Sequence, residues 1–268
     1  MKFHRVSSVQ NRFLLVDLRE TVEHDWSALA LDVCWGEDRT RAECDGLLVF
    51  EPGEPLRLRM FNPDGTEDFC GNGLICAGAY AWLTGAVHRQ EFAIRHGESD
   101  VPIALKVDAG EPLAVTISLP EPSRLASSIP ISLPDPLPAE VLLPDFPHPI
   151  RPVSTGTAHS VIIIDSLPEN TEFEMLSRQL ENHPVFPERT SVEWVQVLAP
   201  GSVRVRIWER GVGETLGCGT GSAAVAAVTY GLLHQGDLCV VSKGGMLAVR
   251  WLGSGPVFVT GQPQIEAM

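Results

Sequence analysis

Two short segments of this chain each place a cysteine just before a Gly-X-Gly turn and a run of small apolar residues. One reads Cys70-Gly71-Asn72-Gly73-Leu74, the other Cys218-Gly219-Thr220-Gly221-Ser222. A cysteine at the mouth of a helix meets unpaired backbone N–H groups and partial positive charge. That setting is expected to stabilise the thiolate and pull its pKa below the free value of about 8.5. The same N–H groups hold a carboxylate, and glycine lets the backbone come close to a ligand. Two such thiols suit inversion of a carbon centre. One takes a proton from one face, and the other returns a proton to the opposite face. Cys70 and Cys218 are therefore the candidate acid/base pair. Gly71-Asn72 and Gly219-Thr220 are the candidate clamps for an α-carboxylate, where their N–H groups would stabilise the developing enolate charge.

Three other chemistries fit the same residues less well. Cys70 and Cys76 as metal ligands match no common zinc spacing, and no His-rich partner segment lies nearby. Neither turn has the Lys-Ser/Thr ending of a phosphate loop, and the dinucleotide spacing is absent. Tight packing at strand-to-helix turns would explain one segment alone, but less readily both. No metal and no cofactor are expected.

The elements that must position these groups repeat as well. At an offset of 148 residues Gly65 meets Gly213, Gly71 meets Gly219 and Gly73 meets Gly221. The strand-like Leu56 to Phe61 meets Arg204 to Glu209 at the same offset. The segments Gly71 to Thr84 and Gly219 to Leu233 read as helices without a polar face, which is the signature of a buried helix. Short apolar or alternating runs read as strands: Phe13 to Leu18, Gly46 to Glu51, Glu91 to Arg95, Ile103 to Val107 and Ala114 to Leu119. In the second half they are Val161 to Ile164, Val192 to Leu198, Val203 to Trp208, Leu238 to Val241, Met246 to Trp251 and Val257 to Thr260. Glu172 to Glu181 reads as a short surface helix. Pro120 to Pro152 carries ten prolines and reads as a linker or extended crossing.

The expected fold is α+β, with two similar pseudo-symmetric domains, each a curled, mostly antiparallel sheet around a central apolar helix. The first, 1–118 with a C-terminal strand at about 262–268, carries Cys70; the second, 119–261, carries Cys218. A formal charge of −14 argues against nucleic acid and anionic membrane surfaces as partners. No apolar run approaches the roughly 18 residues of a membrane span, and the N-terminus has no signal-peptide core. Six scattered cysteines fit a reducing cytoplasm. Cys34 and Cys239 read as small core residues.

At the two cysteine segments the sequence resembles the diaminopimelate epimerases. Phe61-Asn62-Pro63-Asp64-Gly65-Thr66-Glu67, running into Cys70-Gly71-Asn72-Gly73, is similar to that family's first cysteine motif. Glu209-Arg210-Gly211-Val212-Gly213-Glu214-Thr215, running into Cys218-Gly219-Thr220-Gly221, is similar to its second. Asn11-Arg12-Phe13, Asp45-Gly46-Leu47-Leu48, Gly156-Thr157-Ala158-His159 and Thr260-Gly261 follow in family order.

The resemblance implies a cofactor-independent epimerase that interconverts LL- and meso-diaminopimelate, on the route to lysine and peptidoglycan precursors. It implies Cys70 and Cys218 as the acid/base pair, with Asn11, Asn62, Glu209 and Arg210 lining the substrate pocket. His159 and Glu209 would help set thiol protonation. The planar fork of Arg210 independently suits a second, distal carboxylate.

The departures fall on the specificity side. Thr157 and Ser191 stand where the family usually has asparagines, Ile75 replaces an arginine, and Gln10-Asn11-Arg12-Phe13 replaces Gly-Asn-Asp-Phe. Lost amides weaken discrimination for the distal end of a substrate. A racemase for another polar amino acid, such as histidine, is therefore the alternative within the class. A non-catalytic small-molecule binder on the same fold is the alternative outside it. The oligomeric state stays open, a homodimer included.

Overall fold

The computed structural model describes residues 1–35 and 43–266. It divides into two units, Met1–Ser118 with the chain from Thr260 onward, and Leu119–Val259. The return to the first unit at Thr260 has a physical anchor, since its hydroxyl meets that of Thr116 at 2.8 Å. Of the expected C-terminal return, residues 267 and 268 lie outside the described ones.

The first unit contains β1 (His4–Ser8), β2 (Asn11–Asp17), α1 (Trp26–Val33), β3 (Gly46–Glu51), β4 (Leu56–Phe61), α2 (Gly71–Leu83), β5 (Glu91–His96), β6 (Ser99–Asp108) and β7 (Glu111–Leu119). The second contains β8 (Arg151–Ser154), β9 (Ala158–Ile163), α3 (Asn170–Glu181), β10 (Ser191–Ala199), β11 (Ser202–Glu209), β12 (Gly213–Thr215), α4 (Gly219–Leu233), β13 (Asp237–Ser242), β14 (Gly245–Arg250) and the start of β15 (Val257–Gly261), whose last two residues belong to the first unit. β16 (Gln264–Ile265) returns to the first unit and pairs with β1.

The duplication in sequence is a duplication in topology. Along β1 to β6 the neighbouring strands pair antiparallel, parallel, antiparallel, parallel, antiparallel. The series β8, β9, β10, β11, β13, β14 repeats that order step for step. In both units the first parallel pair is joined through a helix, α1 or α3. The second is joined through the cysteine-led helix, α2 or α4. Each sheet is thus mixed but mostly antiparallel, as expected of this α+β class.

Each sheet curls around its central helix. α2 touches β1, β4, β6 and β16, and α4 touches β8, β9, β10 and β14. The whole run Gly71–Ala81 of α2 is buried, as are Gly219–Ala226 of α4. Small side chains make this possible. A Cβ on Gly78 would stand 3.0 Å from Ile103 and Val115, so α2 and the sheet nearly touch backbone to side chain there. In α4, the hydroxyls of Ser222 and Thr229 turn back onto Cys218 O and Val225 O, each at 2.7 Å, which satisfies both of these buried polar groups.

Two expectations need correction. The Pro-rich segment is no linker. Ile129, Ile131, Val141, Leu143, Phe146 and Ile150 are buried with Phe173, Trp194 and Trp208 in the core of the second unit. It is extended because proline denies it a helix, yet every few residues an apolar side chain anchors it. The second correction concerns α1, which has no counterpart among the expected helices. It is only eight residues long, capped by Asp25 on Ala28 N at 3.0 Å, and it buries Trp26 and Ala30. Cys34, at its end, is buried as expected, but Cys239 is only half-buried on β13.

Candidate active site

Both cysteines are N-caps. Cys70 and Cys218 have nearly identical extended backbones, φ −136° and ψ 104° against φ −138° and ψ 126°. In each, the sulfur swings over the first turn and accepts the N–H three residues on: Gly73 N at 3.2 Å and Gly221 N at 3.4 Å. A side chain at either glycine would crowd this arrangement. A Cβ on Gly73 would lie 3.3 Å from Cys70 Sγ and 2.9 Å from Leu48, and one on Gly221 would lie 2.8 Å from Glu193 Oε1. The helices then aim the N–H groups of Gly71-Asn72 and Gly219-Thr220 past their ends, the geometry an anion needs.

In the second unit the candidate residues gather around Cys218. Thr220 Oγ1 lies 3.3 Å from its sulfur, and the Glu209 carboxylate lies close enough for its charge to act on the thiol. Thr155 donates to Thr220 O at 3.0 Å and so fixes the turn. Burial pushes the Cys218 thiol well above its ordinary pKa, and the Glu209 charge pushes it further in the same direction. This corrects the expectation of a helix-stabilised thiolate. At a buried site, loss of water outweighs the helix end, and Cys218 rests as a neutral thiol. Glu209 is itself raised, by burial first, with the neighbouring Thr215 and Cys218 and the field of His159 opposing. A carboxylate so raised is a stronger base than a free one, and it lies beside the thiol.

His159 is fully buried. Its Nδ1 lies 2.7 Å from Glu193 Oε1, and its Nε2 lies 2.9 Å from Thr157 Oγ1. It reaches Glu209 through its field. Ser191 Oγ accepts Arg210 N–H at 3.1 Å, and Arg210 Nη1 donates to Glu188 O at 3.1 Å. Thr157 and Ser191 therefore both have partners inside this unit. The loop after Glu209 is pinned by Glu181 at the end of α3, which accepts Gly211 N–H at 2.7 Å and Trp208 Nε1 at 2.7 Å.

In the first unit the arrangement around Cys70 is more open, and Cys70 itself is half-buried. Asn62 lies in the turn before it. Its amide nitrogen donates to Thr66 Oγ1 at 3.0 Å, and its backbone N–H donates to Thr66 O at 2.8 Å. Gly65 closes this turn at φ +82°, pressed against Ser27 of α1. Asn11 starts β2, opposite Ser8, and is buried.

Two neighbours of the cysteines carry no motif. Glu193 is a wholly buried carboxylate in β10, under the first turn of α4. His96 ends β5 and accepts the backbone N–H of Cys70 through Nε2 at 2.9 Å. Each had a signal. Glu193 is the one charge in the buried run Ser191–Val195, and His96 falls in the inward phase of Phe92 and Ile94. Among the described residues no group of three or more His, Cys, Asp or Glu side chains is placed to hold a metal ion. Among the same residues no helix is long and apolar enough to cross a membrane.

A diaminopimelate epimerase family model matches residues 152–266. Similar proteins cover the rest. The diaminopimelate epimerase of Pelotomaculum thermopropionicum is 34% identical over 272 residues, spanning 97% of this chain and 95% of that protein. That of Geobacillus thermodenitrificans is 35% identical over 272 residues, spanning 97% and 92%. Among solved structures, a hydroxyproline epimerase from Agrobacterium vitis aligns at a TM-score of 0.70 with 14% identity, covering 98% of this chain and 88% of that one. A PhzF-family phenazine biosynthesis protein of Bacillus anthracis aligns at 0.68 with 16% identity, covering 99% and 97%. At those identities the structural likeness establishes the fold alone.

Proposed function

We propose a substrate and a mechanism from one premise: this chain belongs to the diaminopimelate epimerase family and is an isomerase. The substrate is diaminopimelate, interconverted between its LL and meso forms without a cofactor. The reacting groups are Cys70 and Cys218. The observation that carries this reading is the repeated capping geometry, in which each half sets one sulfur against the N–H of the third helical residue.

One thiolate removes the α-hydrogen as a proton, leaving the electron pair on the α-carbon and its carboxylate. The N–H groups at the helix starts oppose that charge. The other thiol delivers its own proton to the opposite face, so the reaction conserves protons and inverts the centre. When Cys218 serves as base, its proton first passes to Glu209. When it serves as acid, it is already protonated. The reading requires both sulfurs to reach one carbon. His159 supports the ionised state of Glu209 through its field, held by Glu193 and Thr157. Arg210 offers the distal carboxylate a planar fork.

Thr157 and Ser191 motivate a second reading, a racemase for a different polar amino acid. Their hydroxyls are engaged by His159 and Arg210 N–H, which leaves the distal end of the substrate with fewer directed partners than asparagines supply.

A panel of amino acids in D₂O, with reduced protein and no pyridoxal phosphate, decides between these. The expected result is α-deuterium with inversion in LL- and meso-diaminopimelate. Exchange confined to another amino acid would select the second reading. No exchange with any of them, in a folded and reduced sample, would favour a binding protein.

A further inference from the structure

His96 lies beside the first thiol, outside both cysteine motifs. It is buried, and both of its ring nitrogens have partners of fixed kind. Nδ1 lies 2.9 Å from Leu58 O, which can only accept, so Nδ1 carries the hydrogen. Nε2 lies 2.9 Å from Cys70 N, a backbone donor, so Nε2 presents its lone pair. The two contacts together admit one species, the neutral Nδ1–H imidazole. A proton on Nε2 would point at the Cys70 N–H and break that bond. The ring is held in its plane by Phe69, stacked with centroids 4.9 Å apart. Its backbone is held by the β4–β5 ladder, where Leu58 is its register partner.

We propose that His96 is the positioning residue of the first thiol, fixing the backbone of Cys70 as a neutral imidazole and setting an acid limit on the chemistry of that cysteine. Cys70 is the N-cap, so its own φ and ψ aim both the sulfur and the first helical N–H groups. A backbone bond at that residue controls all of them at once. The charged groups acting on the ring are the carboxylates of Glu67 and Asp68. Glu67 is itself paired to Arg59 at 2.6 Å. Burial lowers the His96 pKa more than Leu58 O, Glu67 and Asp68 raise it, so the neutral form persists below the usual histidine range. As pH falls through that lowered value, Nε2 is protonated, the bond to Cys70 is lost and the thiol drifts. The second half has no equivalent ring, because β13 is followed by Lys243 and Gly244. The two matched thiols are therefore supported differently.

The role rests on the two-thiol reading for its catalytic consequence, but its test does not. Alkylation of Cys70 by iodoacetamide, followed by peptide mass spectrometry across pH, reads the thiol without any substrate. His96→Phe keeps an aromatic ring and removes the acceptor. It should slow Cys70 alkylation by about tenfold near neutral pH and lower kcat by about 10- to 100-fold, with KM within about twofold. His96→Gln restores an acceptor that does not titrate. It should recover most of both rates and abolish the acid-side step seen in the wild type. Wild-type Cys70 alkylation and kcat in His96→Phe would overturn the proposal. If His96→Phe does not fold, nitrogen NMR of the wild-type ring decides: an Nδ1–H tautomer at neutral pH supports it, and an Nε2–H tautomer or imidazolium refutes it. Loss of amino-acid exchange with these alkylation results intact would sink the epimerase reading and leave His96 standing.

Discussion

Cys218 and Glu209 show how far one residue's setting departs from what its motif suggests. The motif places a thiol at a helix end, and the expectation of an acidified thiolate follows. Burial reverses it, and in the proposed mechanism the neighbouring carboxylate takes up the thiol's proton. Glu209→Gln should therefore lower kcat by about 10²- to 10⁴-fold, because it removes the group proposed to accept the Cys218 proton. The same change should raise stability near neutral pH. A carboxylate whose folded pKa lies above its unfolded value disfavours the folded state once both forms ionise, so stability falls as pH rises through that raised pKa. Urea titrations of both proteins at mildly acid and neutral pH would show the gap widening with pH; a variant less stable than wild type at neutral pH would contradict it. For the thiols themselves, half-exposed Cys70 should be alkylated well before Cys218 and Cys76, both buried and pushed to high pKa by that burial. Peptide mapping after brief treatment reads the order, and earlier labelling of Cys218 would count against its resting as a thiol. The cysteines, Glu209 and Arg210 were legible because they sit in dense local motifs. Glu193 and His96 were not, since each reaches its cysteine-led turn from a different strand, and only the folded register brings them there.

The apolar helices α2 and α4 were readable for the same reason that they are buried: no polar face survives over either run. α1 escaped because eight residues give too short a window for a helical period, although its Asp25 cap was visible. The Pro-rich segment misled because its prolines mask an apolar residue every few positions, and only the core shows those residues packed. The cap turns carry the clearest tests at this scale. Gly73→Ala puts a methyl 2.9 Å from Leu48 and 3.3 Å from Cys70 Sγ, so Leu48 must move and the sulfur must give by a few tenths of an ångström. The expected cost is about 10- to 100-fold in kcat with the protein still folded, measured by steady-state kinetics beside circular dichroism. Gly221→Ala meets Glu193 Oε1 at 2.8 Å inside a tight core and should cost about 1–3 kcal/mol of stability. A neutral result at Gly221 would mean that Glu193 does not lie under that turn.

At the scale of the whole molecule, the sequence offset of 148 residues and the repeated strand series express one design used twice. The halves have diverged in what surrounds the thiol, a histidine in the first and a carboxylate in the second. They have also diverged in peripheral ionic structure. In the first unit, buried Asp17 is clasped by Arg19 at 2.6 Å and by Tyr80 at 3.1 Å. Burial raises its pKa, but the Arg19 and Tyr80 bonds together hold it below the ordinary value. Its contribution is then present above the unfolded pKa and lost as pH falls through the folded one. Asp17→Asn should be about 1–3 kcal/mol less stable near neutral pH and lose less on acidification; a variant that falls in parallel with wild type would exclude Asp17 from the acid response. The central claim remains the joint action of two sulfurs on one carbon. Its most direct measurement is a single pass of pure LL-diaminopimelate over the enzyme in D₂O, stopped early and read by mass spectrometry. Two thiols working from opposite faces predict meso product carrying one α-deuteron while unreacted LL substrate keeps its protium. Meso product that retains the original proton would show a single base carrying it across, and would contradict the account.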